Sequence, residues 1–153
     1  TIWEVRRVRP VSDGTSRRTL QRIRLGGWVI PENHVVMVSI ALAHASRDRF
    51  PDPSGFNPDR FIGAPPDNYT WIPFGGGIRR CIGAAFANME MTVTLRTLLR
   101  ELTFEPTSAP GEAYHSRGIA NAPGDGGRVV VYRRPGAYRP DGTASAVAGV
   151  RQA

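Results

Sequence analysis

The stretch Phe74-Gly75-Gly76-Gly77-Ile78-Arg79-Arg80-Cys81-Ile82-Gly83 limits the folding of this chain more than any other. Three consecutive glycines resist helix and strand, because glycine loses more backbone freedom on ordering than any other residue. From Cys81 to Leu102 there is no proline and one glycine, Gly83, and Ile82, Phe86, Met89, Val93, Leu98, Leu99 and Leu102 keep roughly helical spacing. The pattern predicts a glycine loop running into an amphipathic helix over about residues 82–102. Cys81, the only cysteine, sits at that junction beside Arg79 and Arg80. A thiolate is a soft metal ligand, and helix N-termini and nearby cations stabilise it. Cys81 is therefore expected to ligate a metal centre from the N-terminal end of a helix.

Other readings of the loop are weaker. A lone cysteine is often just a small buried hydrophobe. A phosphate cradle would need Gly-Lys-Ser/Thr, which does not follow the glycines. A cysteine nucleophile would need a histidine base, and His34, His44 and His115 belong to no local protease signature. Each histidine reads as a surface or capping residue. One cysteine excludes an intrachain disulfide, and no apolar run reaches membrane-spanning length or forms a leader pattern. A cytoplasmic protein with no membrane segment is expected. The formal net charge of +7 rests on arginine alone, with no lysine. Such charge suits an anionic partner. The arginines are scattered and lack interleaved aromatics, so a solvated surface is the simpler reading and no nucleic-acid partner is expected.

Taken in order, Thr1 to Arg9 reads as helix stopped by Pro10, with Glu4 and Arg7 on one face. Because helix begins at once and residue 1 is not methionine, the chain is expected to be a piece of something longer. Val11 to Ser16 reads as a polar turn. Leu20 to Leu25 alternates as a strand, Gly26-Gly27 turns it, and Trp28 to Ile30 returns. Val35 to Ser39 is a further β-branched run, and Ile40 to Ser46 a short helix. Phe50 to Pro66 holds Pro51, Pro53, Pro58, Pro65 and Pro66 with Phe50, Phe56 and Phe61 among them. Proline at that density forbids long helix, and the aromatics favour a packed meander over a linker. Gly118 to Asn121 and Arg128 to Tyr132 read as short strands around the turn at Pro123 to Gly127. Residues 134–153 read as a disordered tail.

Phe74-x-x-Gly77-x-Arg79-x-Cys81-x-Gly83 resembles the haem-binding loop of the cytochrome P-450 family, the haem-thiolate monooxygenases. Ala87 falls where that family prefers a small residue. Glu4-x-x-Arg7-x-x-Pro10 resembles the family's helix motif, and Phe56-Asn57-Pro58-Asp59-Arg60-Phe61 its meander motif. The order is preserved over about residues 1–133. The resemblance implies a mainly α fold with small β-sheets (α+β), namely the C-terminal third of a single cytochrome P-450 domain. It implies haem b (iron protoporphyrin IX) with Cys81 as axial thiolate, a ligand that favours O–O cleavage. Phe74 would screen the sulfur, and Gly75, Gly76 and Gly77 would bring backbone amides towards it. Arg79 would pair with a haem propionate. Ile82 would touch the ring, and Gly83 and Ala87 would leave room for it. Arg17 falls where a second propionate-binding arginine often stands, with Arg18 an equal claimant by chemistry. Glu4, Arg7 and Arg60 would form a structural set that braces the loop.

The resemblance further implies a small organic substrate, O2, and a ferredoxin or reductase supplying electrons from a nicotinamide cofactor. Arg80 reads as a solvated charge or as part of the face where such a donor docks. Two departures stand out: Arg6 replaces the leucine preferred between Glu and Arg, and Ser12 to Ser16 is unusually polar for a pocket-lining segment. The oxygen-activating helix with its acid–alcohol pair is not among these residues, so the isolated chain is expected to bind haem weakly and to be inactive. The alternatives are a peroxide-dependent haem-thiolate enzyme and a non-catalytic haem-binding remnant.

Overall fold

A computed structural model describes residues 1–136 of the 153. The described residues divide into two compact units, residues 1–82 with 116–121, and residues 83–115 with 122–136.

The first unit opens with α1 (Ile2–Val8), which ends at Arg9 ahead of Pro10. Two antiparallel pairs follow. β1 (Gly14–Arg18) pairs with β4 (Val35–Ser39), Gly14 facing Ser39 and Arg18 facing Val35. β2 (Ile23–Leu25) pairs with β3 (Trp28–Ile30) across Gly26-Gly27, where Gly26 takes the positive φ of 59° that the turn demands. Buried Thr19 closes the gap between the pairs: its hydroxyl donates to the Pro31 carbonyl at 2.7 Å and accepts the His34 amide at 2.9 Å. The residues expected as a polar turn thus partly form β1, because pairing with the β-branched run of β4 outweighs the turn preference of Gly14, Thr15 and Ser16. The strand expected over Leu20 to Leu25 shortens to β2.

α2 (Ile40–His44) follows β4 directly, capped by the Ser39 hydroxyl, which accepts the Leu42 amide at 3.2 Å. The Asp13 carbonyl accepts the Ile40 and Ala41 amides, tying the start of α2 to the approach to β1. Residues 45–82 contain no strand and only two short 3-10 turns, Pro58–Phe61 and Gly77–Arg79. The core of this unit is small. Pro10, Ile40, Phe50 and Trp71 are its buried apolar residues, and Glu4, Arg6, Arg7, Thr19 and His44 are buried beside them.

The second unit holds α3 (Ala84–Glu101) and β5 (Leu102–Phe104), which pairs antiparallel with β8 (Val131–Arg133). The helix starts later than expected: Gly83 caps it, and Cys81 instead donates its amide back to the Phe74 carbonyl at 3.0 Å, closing the loop. The strand expected at Arg128 to Tyr132 is displaced to β8 and finds its partner in β5, which the helical pattern had absorbed. The Glu112 carboxylate accepts the amides of Asp125, Gly127 and Arg128 at 2.8–3.1 Å and so shapes the intervening turn. β6 (Tyr114–Arg117) and β7 (Ala120–Pro123) form a hairpin with residues in both units. Of the expected tail, only residues 134–136 are described, and Arg134 donates its amide to the Glu101 carbonyl at 2.9 Å; residues 137–153 lie outside the described residues.

Candidate functional site

The first unit is organised around a buried charge cluster. Glu4 has no solvent exposure. Arg7 meets it in a fork, Nε to Oε2 at 2.8 Å and Nη2 to Oε1 at 2.7 Å. The other donors of Arg7 reach the carbonyls of His44 (3.0 Å), Pro53 (2.7 Å) and Gly55 (2.9 Å). All five N–H groups of the guanidinium are thereby used, the arrangement that makes a buried arginine tolerable. Arg60 sends Nε to Glu4 Oε1 at 3.3 Å and its other nitrogens to the carbonyls of Pro51 and Asp52. The Asn57 amide completes the shell of Glu4 at 2.9 Å. Burial alone would raise the Glu4 pKa, but the hydrogen bonds from Arg7 and Asn57 and the charges of Arg7 and Arg60 hold it below the usual carboxylate value. A proline-rich meander has few backbone donors of its own, and here two guanidiniums satisfy its carbonyls.

From this cluster the chain leads to the cysteine loop. Buried Trp71 donates Nε1 to the Trp3 carbonyl of α1 at 3.0 Å and packs edge-on to Trp3 and Phe74. The Ile72 carbonyl accepts the Gly75 amide at 2.9 Å, the Gly77 carbonyl accepts that of Arg80 at 3.1 Å, and the Phe74 carbonyl accepts that of Cys81. Gly75 (φ 68°) and Gly77 (φ 64°) occupy the left-handed region, where a side chain is disfavoured. Gly76 is extended at φ −152°. Cys81 is exposed at the end of this closed loop, flanked by fully exposed Ile78 and Ile82.

Phe74 is half-buried, with the Arg6 guanidinium 4.4 Å over its ring. Arg6 is itself buried, and that burial lowers its pKa. The departure noted at position 6 therefore puts a cation against the aromatic residue at the root of the loop. Arg79 lies exposed in the 3-10 turn. Arg17 is exposed on β1 and donates locally, to Thr15 Oγ1 and the Ser16 carbonyl. Neither arginine is brought to Cys81 by a hydrogen bond or ion pair among the described residues. Gly83 and Ala87 lie in the second unit, where the Gly83 carbonyl accepts the Ala87 amide at 2.9 Å.

His44 corrects the reading of the histidines as surface residues. It is 1% exposed, and its Nε2 accepts the Ile72 amide at 2.9 Å. Burial, the largest influence, pushes its pKa down to about 4, with the Arg7 charge acting in the same direction. Its position four residues after buried Ile40, on one face of α2, was the available signal.

A cytochrome P-450 family model matches residues 1–126. The chain is 54% identical to cytochrome P-450 138 of Mycobacterium bovis over 134 residues, 87% of this chain and 30% of that protein. It is 40% identical to cytochrome P-450 135B1 of Mycobacterium tuberculosis over 128 residues, 84% of this chain and 27% of the relative. Among solved structures, the retinoic-acid-bound cyanobacterial CYP120A1 superposes with a TM-score of 0.74 at 29% identity, covering 87% of this chain and 31% of that one. A zebrafish cytochrome P-450 with progesterone gives 0.75 at 29% identity, with 87% and 30% coverage. The chain thus spans under a third of these relatives, with helices and small two-stranded sheets matching part of their fold. A cysteine loop and a Glu4–Arg7–Arg60 ion-pair cluster in one unit, together with these matches, identify the chain as a member of the cytochrome P-450 family and as part of such a protein.

Proposed function

We propose that this chain forms the cysteine-bearing part of a haem-thiolate monooxygenase and that Cys81 would hold haem iron through its thiolate. The observation that carries the reading is the closed loop from Phe74 to Cys81, which leaves the one sulfur exposed at its end. The residues present fit a tetrapyrrole. Ile78 and Ile82 offer exposed apolar surface beside the sulfur, and Gly75, Gly76 and Gly77 have open space where a Cβ would stand, so a flat group can approach the backbone. Among the described residues no three His, Cys, Asp or Glu side chains gather to hold an ion. A sulfur without such a cluster suits a metal that brings its other donors with it, as a porphyrin does.

Haem, when bound, supplies the redox-active iron at which O2 is activated. The chain's own residues do the rest. Cys81 donates charge through its sulfur. With the group bound, Phe74, at the root of the loop, would screen the sulfur from water, and the positive-φ glycines hold the turn that presents it. Arg79 and Arg17 would supply cations for the propionates, and Gly83 and Ala87 would leave room for the ring. Glu4, Arg7 and Arg60 keep the meander and α1 fixed behind the loop. The whole protein inserts one oxygen atom of O2 into a small organic substrate, with electrons from a ferredoxin or reductase. The isolated chain binds haem weakly and does not turn substrate over.

The test is haemin titration of the purified chain followed by the carbonyl spectrum of the reduced sample. The expected result is a red-shifted thiolate-type band in a minor, unstable fraction, absent from Cys81→Ser, with no substrate oxidation. Identical spectra for the chain and for Cys81→Ser would overturn the assignment of Cys81. A stable band with turnover would overturn the claim of inactivity.

A further inference from the structure

His44 joins three parts of its unit. Its carbonyl accepts Arg7 Nη1 at 3.0 Å, its ring lies edge-on to Phe50 with centroids 6.2 Å apart, and its Nε2 accepts the Ile72 amide at 2.9 Å. Accepting at Nε2 places the single proton of the neutral imidazole on Nδ1. That Nδ1 is buried and has no hydrogen-bond partner among the described residues. A buried, unanswered donor is costly, so the ring is not seated by its own satisfaction. What the ring does satisfy is the amide of Ile72. The Ile72 carbonyl in turn accepts Gly75, where the left-handed glycine turn begins, and the Phe74 carbonyl accepts Cys81. A run of bonds therefore leads from the Glu4–Arg7 pair, through His44, to the entry of the cysteine loop.

We infer that His44 is a positioning residue for Cys81: its neutral, Nδ1-protonated ring fixes the Ile72 amide and with it the entry of the loop that presents the sulfur. The charged groups around it are Arg7, whose guanidinium reaches the His44 carbonyl, and Glu4 and Arg60, which belong to the same cluster. Protonation of the ring would occur at Nε2, where the Ile72 amide now donates, and an imidazolium has no lone pair to accept it. The loop entry is therefore tied to the neutral state of one buried histidine. Burial and the Arg7 charge favour that neutral state. Only the spectral arm of the test rests on the haem-ligand reading of Cys81.

Three measurements on the full 153-residue chain decide it. Imidazole ¹⁵N shifts at pH 7 need no variant: the Nδ1–H tautomer is expected, and the Nε2–H tautomer or an imidazolium overturns the inference. Amide exchange at Ile72 should rise about tenfold in His44→Phe, which keeps an aromatic ring but no acceptor. His44→Gln, whose side-chain oxygen can accept, should restore protection to within about threefold. Equal exchange in the two variants would reduce His44 to packing and overturn the inference. In the haemin-loaded chain, His44→Phe should lower the thiolate-type fraction of the carbonyl spectrum and His44→Gln should keep it. A wild-type chain that takes up no haem sinks the functional reading, and the amide-exchange arm then still decides the role of His44.

Discussion

Glu4 and Arg7 form the most committed pair of side chains in the protein. A buried ion pair gains little over a well-packed apolar pair, but removing one partner strands the other. Glu4→Gln would leave Arg7 and Arg60 facing a neutral amide, so a loss of about 3–5 kcal/mol is expected, read as a shifted denaturant midpoint at unchanged slope. The glycine loop gives a different kind of prediction. Gly77 sits at φ 64° with nothing within 4 Å of a built Cβ, so Gly77→Ala carries a conformational cost alone. That cost is about 1–2 kcal/mol, whereas Gly76→Ala, at an extended φ, should fall within about 0.5 kcal/mol of wild type in the chain without haem. Equal effects at the two positions would mean that the loop does not hold the turn described. These residue identities were legible in advance because a motif is a local string. The Arg6–Phe74 contact was not, since nothing near position 6 announces which ring its guanidinium will cover.

Among the elements, the turn after β7 depends on a single carboxylate. Glu112 accepts three backbone amides, chiefly that of Gly127, and these outweigh desolvation and lower its pKa. A carboxylate with a depressed folded pKa stabilises above its unfolded value and loses that contribution as pH falls through the folded one. The Gly127, Asp125 and Arg128 amides should therefore lose protection together on acidification below pH 4.5, and Glu112→Gln should weaken them at neutral pH. Proton NMR of those amides reads both, and unchanged shifts in Glu112→Gln would remove the staple from the account. α1, the β2–β3 hairpin and α2 were legible because each is bounded by its own Pro, Gly or Ser signal. β1 and β5 were not, and β8 only in part, since the strand expected at Arg128 to Tyr132 shares Val131 and Tyr132 with it. Each is a short, locally undistinguished segment whose strand state comes from its partner, and pairings such as Leu102 with Arg133 join residues far apart in sequence.

At the scale of the whole molecule, two facts set behaviour. The first is acid sensitivity. The His44 pKa is lowered from 6.5 to about 4, so its neutral form stabilises the fold fully above pH 6.5 and progressively less down to pH 4. That loss amounts to about 3 kcal/mol, and Glu4 adds its own below pH 4.5 as its carboxylate protonates. Thermal midpoints should therefore fall from pH 6.5 to 4, and His44→Gln should flatten that window. The second is the apolar stripe of α3: Phe86, Met89 and Val93 are each more than half exposed. An exposed apolar face of this kind offers surface to other apolar groups. The isolated chain should bind a hydrophobic dye, and Phe86→Gln with Val93→Gln should reduce the signal; an undiminished signal would place the apolar surface elsewhere. The loop, the helix after it and the meander follow from glycine, proline and periodic apolar residues acting within a few positions, and the family was legible as a resemblance carried by the strings Glu4 to Pro10, Phe56 to Phe61 and Phe74 to Gly83. The tertiary structure alone decided how the buried charges are satisfied and what holds the loop entry. The Pro51, Asp52, Pro53 and Gly55 carbonyls, the Asn57 amide and the Ile72 amide find partners mostly tens of residues away. A buried polar group must be paired by whatever the fold brings to it, and no local pattern records that choice.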